Sequence, residues 1–324
     1  MHADAGGLLP LPARHRRRHP LKPVSARGPV KKPPGPLRAL AASARLANLP
    51  SVVSNVWCGL LLGGAGLFDS GAATMAAVSL YLCGTFVNDW ADRGWDQTRR
   101  PERALPRGLF PPAMYLSLAL ALAASGLGTA ALAGPHALTV AALIALCILL
   151  YTWLHKKTAW AIVWMALCRA LLPLLGLAAS AQHALWPVAS IAGLALFCHV
   201  AGISLFARRE SLPQQSGGGN LATWCFVACA LMMTSSTFVM LKLPPAACLL
   251  AIVPYATWTC HSLLRHKNDT GARVSSLLAG IPLADWMLLL PLALAHGAGT
   301  TPALWLPPLA FLTGRALQRL APAT

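Results

Sequence analysis

The chain has 324 residues, of which 56% are hydrophobic and 11% charged, and its mean hydropathy is +0.58. Soluble domains usually carry about a quarter charged residues, so this composition excludes an ordinary water-soluble globular protein. The formal net charge of +17 at pH 7 would suit a nucleic-acid-binding protein, but the basic residues are sorted along the chain in a way that argues against that class.

Residues 1–45 form a basic tail, rich in proline, glycine and arginine, that holds ten of the 26 Lys and Arg residues. Such a composition cannot bury a core, so we expect the tail to be disordered. It has no apolar h-region and is not predicted to be a cleavable signal peptide. Its charge predicts a cytoplasmic N-terminus that rests on anionic lipid. Nucleic-acid binding by the tail is the weaker alternative, and we predict no nucleic-acid partner.

Residues 46–320 are predicted to form one all-α domain, a polytopic transmembrane bundle of nine or ten helices. Apolar runs of roughly 17–23 residues follow one another, and each is long enough to cross a bilayer core. Gly, Pro or ionisable residues interrupt the first two and the last two runs; with nine crossings, the last run would be an interfacial helix. The predicted spans are 48–67, 72–88, 111–133, 136–154, 159–179, 185–206, 221–241, 244–264, 277–296 and 302–318.

The basic residues between the spans predict the orientation of the bundle. With a cytoplasmic N-terminus and ten spans, all Lys and Arg residues except Arg169 and Lys242 fall in the tail or on the cytoplasmic side. This bias follows the positive-inside rule. We therefore predict a multi-pass protein of a bacterial inner membrane. Arg169 falls inside a predicted span, where a charged side chain needs a partner or water and marks a functional position.

Residues 88–96, NDWADRGWD, hold three of the nine carboxylates in the chain. Asp89, Asp92 and Asp96 are spaced i, i+3 and i+7, so on a helix they share one face, and Asn88 lies one turn before Asp92. Adjacent carboxylates repel one another, and a divalent cation would neutralise them. Oxygen ligands favour a hard ion such as Mg²⁺, usually shared with a substrate phosphate. The alternative is a solvated helix end whose acids pair with Arg93, Arg99, Arg100 and Arg103.

A cationic, turn-rich stretch, RRPERALPRG, follows the acidic residues directly. Together the two stretches would place Mg²⁺ and guanidinium groups around one polyanion, and arginine suits bidentate phosphate contact. NDWADRGWD followed by RPERALPRG resembles the first aspartate-rich motif of the UbiA superfamily of intramembrane prenyltransferases. Arg103, Leu105, Pro106 and Gly108 match the second part of that motif, with Ala104 in place of its first proline.

Other stretches resemble the same superfamily in the same order. RLANLPSVVSNVWCG is similar to its first helix, with Asn55 as a polar residue that faces the cavity. YTWLHKKT is similar to the tyrosine–lysine signature of its fourth helix, with Tyr151 and Lys156 in matching positions. MALCRALLPLLG and GISLFARRE resemble the EboC-like branch in particular, and the likeness covers roughly residues 45–320.

The resemblance implies a Mg²⁺-dependent transfer of a prenyl group from an allylic prenyl diphosphate to an aromatic or other lipid-accessible acceptor within the membrane. It implies an apolar slot that keeps water from the allylic cation, and cationic groups that stabilise the departing diphosphate. The implied partners are the prenyl diphosphate, a hydrophobic acceptor and membrane lipid.

The resemblance also implies roles for single residues. The implied catalytic residues are Asn88, Asp89, Asp92, Asp96 and Tyr151, and the three aspartates are the implied metal ligands. The candidate diphosphate contacts are Asn55, Arg103 and Lys156 from the matching stretches, together with Arg169 inside its span and Arg208, which are suggested by their charge. Positive-inside topology would also explain Arg103 and Lys156, and an interfacial position would also explain Tyr151.

The sequence departs from the superfamily after the sixth helix, where a second aspartate motif is expected. The chain reads GISLFARRES there, so Ser204 and Arg208 stand where acids are expected and only Glu210 remains nearby. Either Arg208 or Arg209 replaces the charge of a second metal, or the protein binds or transports an isoprenoid lipid without catalysis. A cation-coupled secondary transporter is a third interpretation. It predicts ionisable groups near the bilayer midplane, whereas the clustered acids here gather at one face.

Overall fold

The computed structural model describes residues 35–158, 160–180, 182–211, 218–295 and 305–320, with the side chains of residues 67, 183, 208–211 and 218–220 excepted. Within these ranges all regular secondary structure is helical, which confirms the predicted fold class. The tail up to residue 34 lies outside the described residues. The helices are α1 (Pro36–Ser43), α2 (Leu49–Gly63), α3 (Leu67–Arg99), α4 (Pro112–Leu132), α5 (Pro135–Leu154), α6 (Ala161–Ala178), α7 (Trp186–Ser211), α8 (Gly218–Ser235, followed by one π-helical turn, Ser236–Met240), α9 (Pro245–Arg265), α10 (Thr270–Ala279), α11 (Ile281–Ala295) and α12 (Leu306–Leu320).

Nine helical segments within the described ranges are long and apolar enough to cross a membrane, and they correspond to the first nine predicted spans. The segment α12 is not among them and packs against α2 and α11. Its 15 residues correspond to about 22 Å of helix, less than the ~30 Å of a bilayer core. The structure therefore favours the nine-span form of the prediction, in which the last apolar run does not cross.

The second span is longer than predicted, because α3 continues beyond residue 88 to Arg99. No proline lies between Leu67 and Pro101, and the 33 residues of α3 extend over about 50 Å. A bilayer core takes up only about 30 Å of that length. Apart from Asp69 in the first turn, the charged residues of α3 lie in its last turns, so we infer that those last turns lie at the edge of the membrane.

The last span is broken at Gly280 into α10 and α11. The Asp269 carboxylate accepts a hydrogen bond from the backbone N–H of Ala272 at 2.8 Å, so α10 begins well before the predicted start of this span. The Trp258 indole lies against Gly280, where any side chain would overlap it. After the break, every residue of α11 from Ile281 to Pro291 is buried, which places this helix in the centre of the bundle.

Helices α2 and α6 pack backbone to backbone through two glycines. A Cβ at Gly176 of α6 would overlap the carbonyl oxygen of Val56 in α2, and a Cβ at Gly59 of α2 would overlap the carbonyl oxygen of Pro173 in α6. Small residues permit this kind of approach, which is a common basis of helix association in membranes. The contact brings the polar side chains of α2 next to those of α6.

We expect Gly176→Ala to lower the free energy of unfolding by about 1–3 kcal/mol, because the added methyl group forces α2 and α6 apart. Gly128→Ala in α4 is the matched control, since nothing lies within 4 Å of a Cβ at that position and alanine favours a helix over glycine. Thermal unfolding of both variants in the same detergent measures the difference. A melting temperature for Gly176→Ala that equals or exceeds that of Gly128→Ala would contradict the described packing.

Candidate functional site

A cavity of about 580 Å³ lies between α3, α5, α6, α7 and α10, within the size range of small-molecule sites. One face of α3 lines it from Ala77 to Asp96, which corresponds to about 28 Å along the helix axis. Much of the wall is apolar and includes Leu80, Ile148, Ile162, Leu172, Val200 and Ile203. The last turns of α3 and the segment that follows make one end of the cavity polar. This arrangement suits an elongated ligand with a charged head and an apolar tail.

The three aspartates share one face of α3, as their spacing predicted, and together they form the acidic cluster. Asp89, Asp92 and Asp96 are 7%, 6% and 3% exposed. Asp92 and Asp96 line the cavity, whereas Asp89 is set back from it, toward Arg45 and Arg103. Buried carboxylates of this kind require partners, because removing a charge from water is costly unless it is paired.

Arg103 pairs with two of these carboxylates from the segment between α3 and α4. Its Nη1 donates to Asp96 Oδ2 at 2.8 Å and lies 3.5 Å from Asp89 Oδ1. Gly108 ends the same segment with a φ of 68°, a left-handed conformation that glycine adopts at little cost. From the other side, Arg45 Nη2 lies 3.7 Å from Asp89 Oδ1. Arg103 was predicted as a site residue, whereas Arg45 was not, because it belongs to the basic tail by composition.

The residues that follow α5 neutralise the third carboxylate. His155 Nε2 lies 2.9 Å and 3.1 Å from the two oxygens of Asp92, and Lys156 Nζ lies 3.3 Å from Oδ2. The Lys156 ammonium also lies 4.8 Å from the centre of the Trp95 ring. The Tyr151 ring stacks on His155 with the ring centres 5.1 Å apart, and both residues line the cavity. His155 was not predicted as a site residue, although its position next to the predicted diphosphate contact Lys156 could have identified it.

The alternative interpretation was a solvated helix end whose acids pair with four nearby arginines. Among the described residues, only one of these four arginines forms an ion pair with the acids. Arg103 contacts the acidic cluster, but the guanidinium groups of Arg93 and Arg99 stack on the Trp90 and Trp95 rings, each at 4.6 Å. In the described part of the chain no ion pair joins Arg93, Arg99 or Arg100 to an acid of the cluster. The acids face a cavity and are paired mainly by residues from other segments, so they do not form a plain solvated helix end.

Within the described ranges, no three His, Cys, Asp or Glu side chains converge to hold a metal ion by themselves. One observation nevertheless favours a cation that is shared with a ligand. The amide oxygen of Asn88 is buried without a hydrogen-bond partner, while its Nδ2 lies 3.4 Å from Asp92 Oδ2 and the residue lines the cavity. Amide and carboxylate oxygens suit Mg²⁺, which retains water and shares substrate phosphates. Asn88, Asp92 and Asp96 thus fit Mg²⁺ together with oxygens from water or a bound diphosphate.

Two predicted diphosphate contacts, Asn55 and Arg169, lie apart from the acidic cluster. Arg169 lines the cavity, and its Nη1 donates to Asn55 Oδ1 at 3.1 Å and to Ser51 Oγ at 3.0 Å. Its guanidinium carbon lies 5.5 Å from the centre of the Tyr81 ring. Asn55 itself is fully buried and is not part of the cavity wall. Its Nδ2 donates to both oxygens of Asp285, at 2.8 Å and 3.0 Å.

Asp285 is a fully buried acid in α11 that was not predicted as a site residue. Besides the two bonds from Asn55, it accepts a hydrogen bond from the Ser54 hydroxyl. We call Arg169, Ser51, Asn55 and Asp285 the Arg169 site. A charged residue inside an apolar run, such as Asp285, indicates a functional position. Its partners on α2, Ser54 and Asn55, cannot be identified from the sequence.

The residues of the altered second motif are only partly described. Ser204 is buried, lines the cavity and donates to the carbonyl oxygen of Val200 at 2.9 Å. The side chains of Arg208 and Glu210, and that of Arg209, lie outside the described residues. Their predicted roles therefore stay predictions.

Comparisons with known proteins identify the family and the fold. A sequence profile described as the UbiA prenyltransferase family matches residues 52–281. Digeranylgeranylglyceryl phosphate synthase of Methanopyrus kandleri is 34% identical over 124 residues, which are 38% of this chain and 45% of that protein. The match therefore spans less than half of the length of that relative.

Two solved structures share the fold over most of the chain. One, described as giving structural and mechanistic insights into the biosynthesis of digeranylgeranylglyceryl phosphate synthase in membranes, has a TM-score of 0.60 at 18% identity and covers 81% of this chain and 98% of its own. The apo structure of a UbiA homologue from Aeropyrum pernix K1 has a TM-score of 0.51 at 16% identity and covers 84% and 98%. At these identities the likeness shows the fold alone. The likeness to the EboC-like branch stays a prediction.

We expect Arg103→Gln to lower the free energy of unfolding by on the order of 3 kcal/mol, because among the described residues it leaves the buried carboxylate of Asp96 without a cationic partner and that of Asp89 with Arg45 alone. The double variant Arg103→Gln/Asp96→Asn should recover more than half of that loss, since one stranded charge is removed with its partner. Arg93→Gln, whose guanidinium stacks on the Trp90 ring, is the control and should change stability little. Denaturant unfolding in detergent measures all three. A double variant less stable than Arg103→Gln would contradict the pairing.

Proposed function

The chain belongs to the UbiA prenyltransferase family and is an integral membrane protein, and on that premise we propose that it transfers a prenyl group from an allylic prenyl diphosphate to a hydrophobic acceptor within the membrane. The observation that carries the proposal is the cavity, in which a buried cluster of acids and cations adjoins a long apolar wall. A prenyl diphosphate matches this cavity, because its diphosphate head is charged and its isoprenoid tail is apolar.

The polar end of the cavity carries more cations than acids. Arg45, Arg100, Arg103 and Lys156 line it together with Asp92 and Asp96, and Asp89 lies behind them, which leaves a formal excess of one positive charge before His155 is counted. An excess of this sign favours a polyanion at the polar end. Arg103 and Lys156 are the proposed diphosphate contacts, and Arg208 is a further one. Preorganised cations of this kind stabilise the negative charge that develops on a leaving diphosphate.

Asn88, Asp92 and Asp96 are the proposed residues for holding Mg²⁺, since all three line the cavity. When bound, Mg²⁺ supplies positive charge that helps to neutralise the leaving group. Asp89 has a different proposed role, because it is set back and contacts Arg45 and Arg103. It holds these two cations at the cavity and does not need to touch a metal.

The proposed reaction breaks the bond between the allylic carbon and the diphosphate oxygen and forms a bond from that carbon to the acceptor. The allylic cation that develops needs protection from water, and the apolar wall along α3 and α6 excludes water from the tail. The aromatic ring of Tyr151 lines the same cavity. Its proposed role is to stabilise the allylic cation through the face of the ring.

A non-catalytic lipid-binding or transport protein is the second proposed function, and two observations favour it. Every carboxylate of the acidic cluster already has a cationic partner in the protein, so a metal has to compete with these partners. Ser204 also lines the cavity where an acid was expected. Such a protein would bind the same prenyl diphosphate but release no pyrophosphate.

The orientation of the bundle belongs to the same proposal. The polar end of the cavity lies at the C-terminal end of α3, next to the basic segments that follow α3 and α5. By the positive-inside rule, we place this end at the cytoplasmic face of a bacterial inner membrane. The prenyl diphosphate would then enter the cavity from the cytoplasmic side.

We expect Asp92→Asn to reduce Mg²⁺-dependent pyrophosphate release by about 100-fold, because it removes charge that holds the metal and the leaving group. The assay uses purified protein in nanodiscs with a series of allylic diphosphates and hydrophobic phenols as acceptors, with and without Mg²⁺. Glu102→Gln, a change of the same kind in the exposed segment after α3, is the control and should retain activity. If the unmutated protein binds a donor tightly but releases no pyrophosphate from any of them, the lipid-binding function replaces the enzymatic one.

A further inference from the structure

Three of the five N–H donors of the Arg169 guanidinium have no hydrogen-bond partner among the described residues. Within the described part of the chain, the hydrogen bonds of Arg169 involve Nη1 alone, which donates to Ser51 and Asn55. A guanidinium has five N–H donors, so the donors on Nε and Nη2 remain for another partner. Since Arg169 lines the cavity, these donors are available to water or to a ligand in the cavity.

The Arg169 site and the acidic cluster lie at different levels along α3. The Arg169 guanidinium lies against the Tyr81 ring of α3. Tyr81 and Asp92 are eleven residues apart on the same continuous helix, which corresponds to about 16 Å along its axis. Gly84 and Ile148 line the cavity between these levels. The Arg169 site thus lies beside the apolar part of the cavity, about three helical turns of α3 away from the level of Asp92.

The surroundings of Arg169 compensate its charge. Asp285 is fully buried on the far side of Asn55, and its carboxylate is held by Asn55 and Ser54. When it is ionised, this acid balances the charge of the guanidinium within the Arg169 site. An anionic ligand placed there would add an uncompensated charge next to apolar walls, which is costly. A neutral oxygen accepts hydrogen bonds from Arg169 without that cost.

We propose that the Arg169 site binds a neutral hydroxyl or carbonyl oxygen of the hydrophobic acceptor, and that Asn55 and Asp285 position Arg169 for this contact. The assignment of the ligand as the acceptor rests on the proposed prenyl transfer. The site lies along the apolar part of the cavity, where a donor tail and an acceptor would lie side by side. A buried acid that balances the arginine makes the site selective against carboxylate- and phosphate-bearing acceptors.

The test compares two probes with the same tail and different charge. At pH 7 4-heptylphenol is neutral and 4-heptylbenzoate is an anion, as expected from ordinary phenol and carboxyl ionisation. Binding of each probe to the full-length protein in nanodiscs is measured by titration calorimetry. We expect the phenol to bind at least about 10-fold more tightly than the benzoate. Equal or tighter binding of the benzoate would overturn the proposal.

Two variants locate the contact. Arg169→Gln should weaken phenol binding about 10-fold, because a charge-assisted hydrogen bond is lost, and should leave the binding of inorganic pyrophosphate with Mg²⁺ unchanged. Arg103→Gln should show the opposite pattern. If Arg169→Gln weakens pyrophosphate binding as much as Arg103→Gln does, the two sites are one and the proposal is wrong.

A third variant tests the role of Asp285 in selectivity. Asp285→Asn removes the balancing charge with little change of shape, so the benzoate should gain at least about 10-fold in affinity relative to the phenol. A purely structural role for Asp285 would weaken both probes equally, and that outcome would overturn the positioning role. If Asp285→Asn does not fold, the two probes and the Arg169→Gln variant still decide the proposal. The failure of the proposed prenyl transfer can be distinguished from the failure of this proposal. In that case the protein releases no pyrophosphate but still binds the phenol more tightly than the benzoate.

Discussion

Three carboxylates buried on one helix face at the membrane edge have to be neutralised, and the structure of the polar end follows from that requirement. The partners come from three different parts of the chain: Arg45 before α2, Arg103 after α3, and the His155–Lys156 pair after α5. Each of these segments is drawn to the same end of α3 by charge, because an unpaired buried carboxylate is costly. Two of these segments follow α3 and α5, which line the cavity.

The cavity has two polar sites that differ in their balance of cations and acids. At the acidic cluster, cations exceed acids, so the site is suited to a polyanion. At the Arg169 site, one guanidinium is balanced by the buried carboxylate of Asp285, so the site is suited to a neutral polar group. The separation of about 16 Å along α3 would allow one ligand head at each site, with apolar chains between them. Asp285 and Arg169 are also the intramembrane ionisable groups that the transporter interpretation required, but each has its partner within the bundle.

Features set by local spacing were predictable, and features set by distant contacts were not. The i, i+3, i+7 spacing of the aspartates predicted that they share one helix face. Arg103 is only seven residues from its partner Asp96. In contrast, His155 is 63 residues from Asp92, and Asp285 is 230 residues from Asn55. A single sequence holds no record of such pairings. The spans were predicted from their apolar length, but the end of α3 was not, because its last turns are charged and the prediction used hydropathy alone.

Diffraction from the protein with Mn²⁺ and a non-reactive thiolo analogue of a prenyl diphosphate tests the central claim most directly. The account predicts an anomalous peak beside Asp92 and Asp96, the diphosphate between Arg103 and Lys156, and the prenyl tail along α3 toward Leu80. A diphosphate bound away from the acidic cluster, or a tail that leaves the cavity for the lipid, would contradict it.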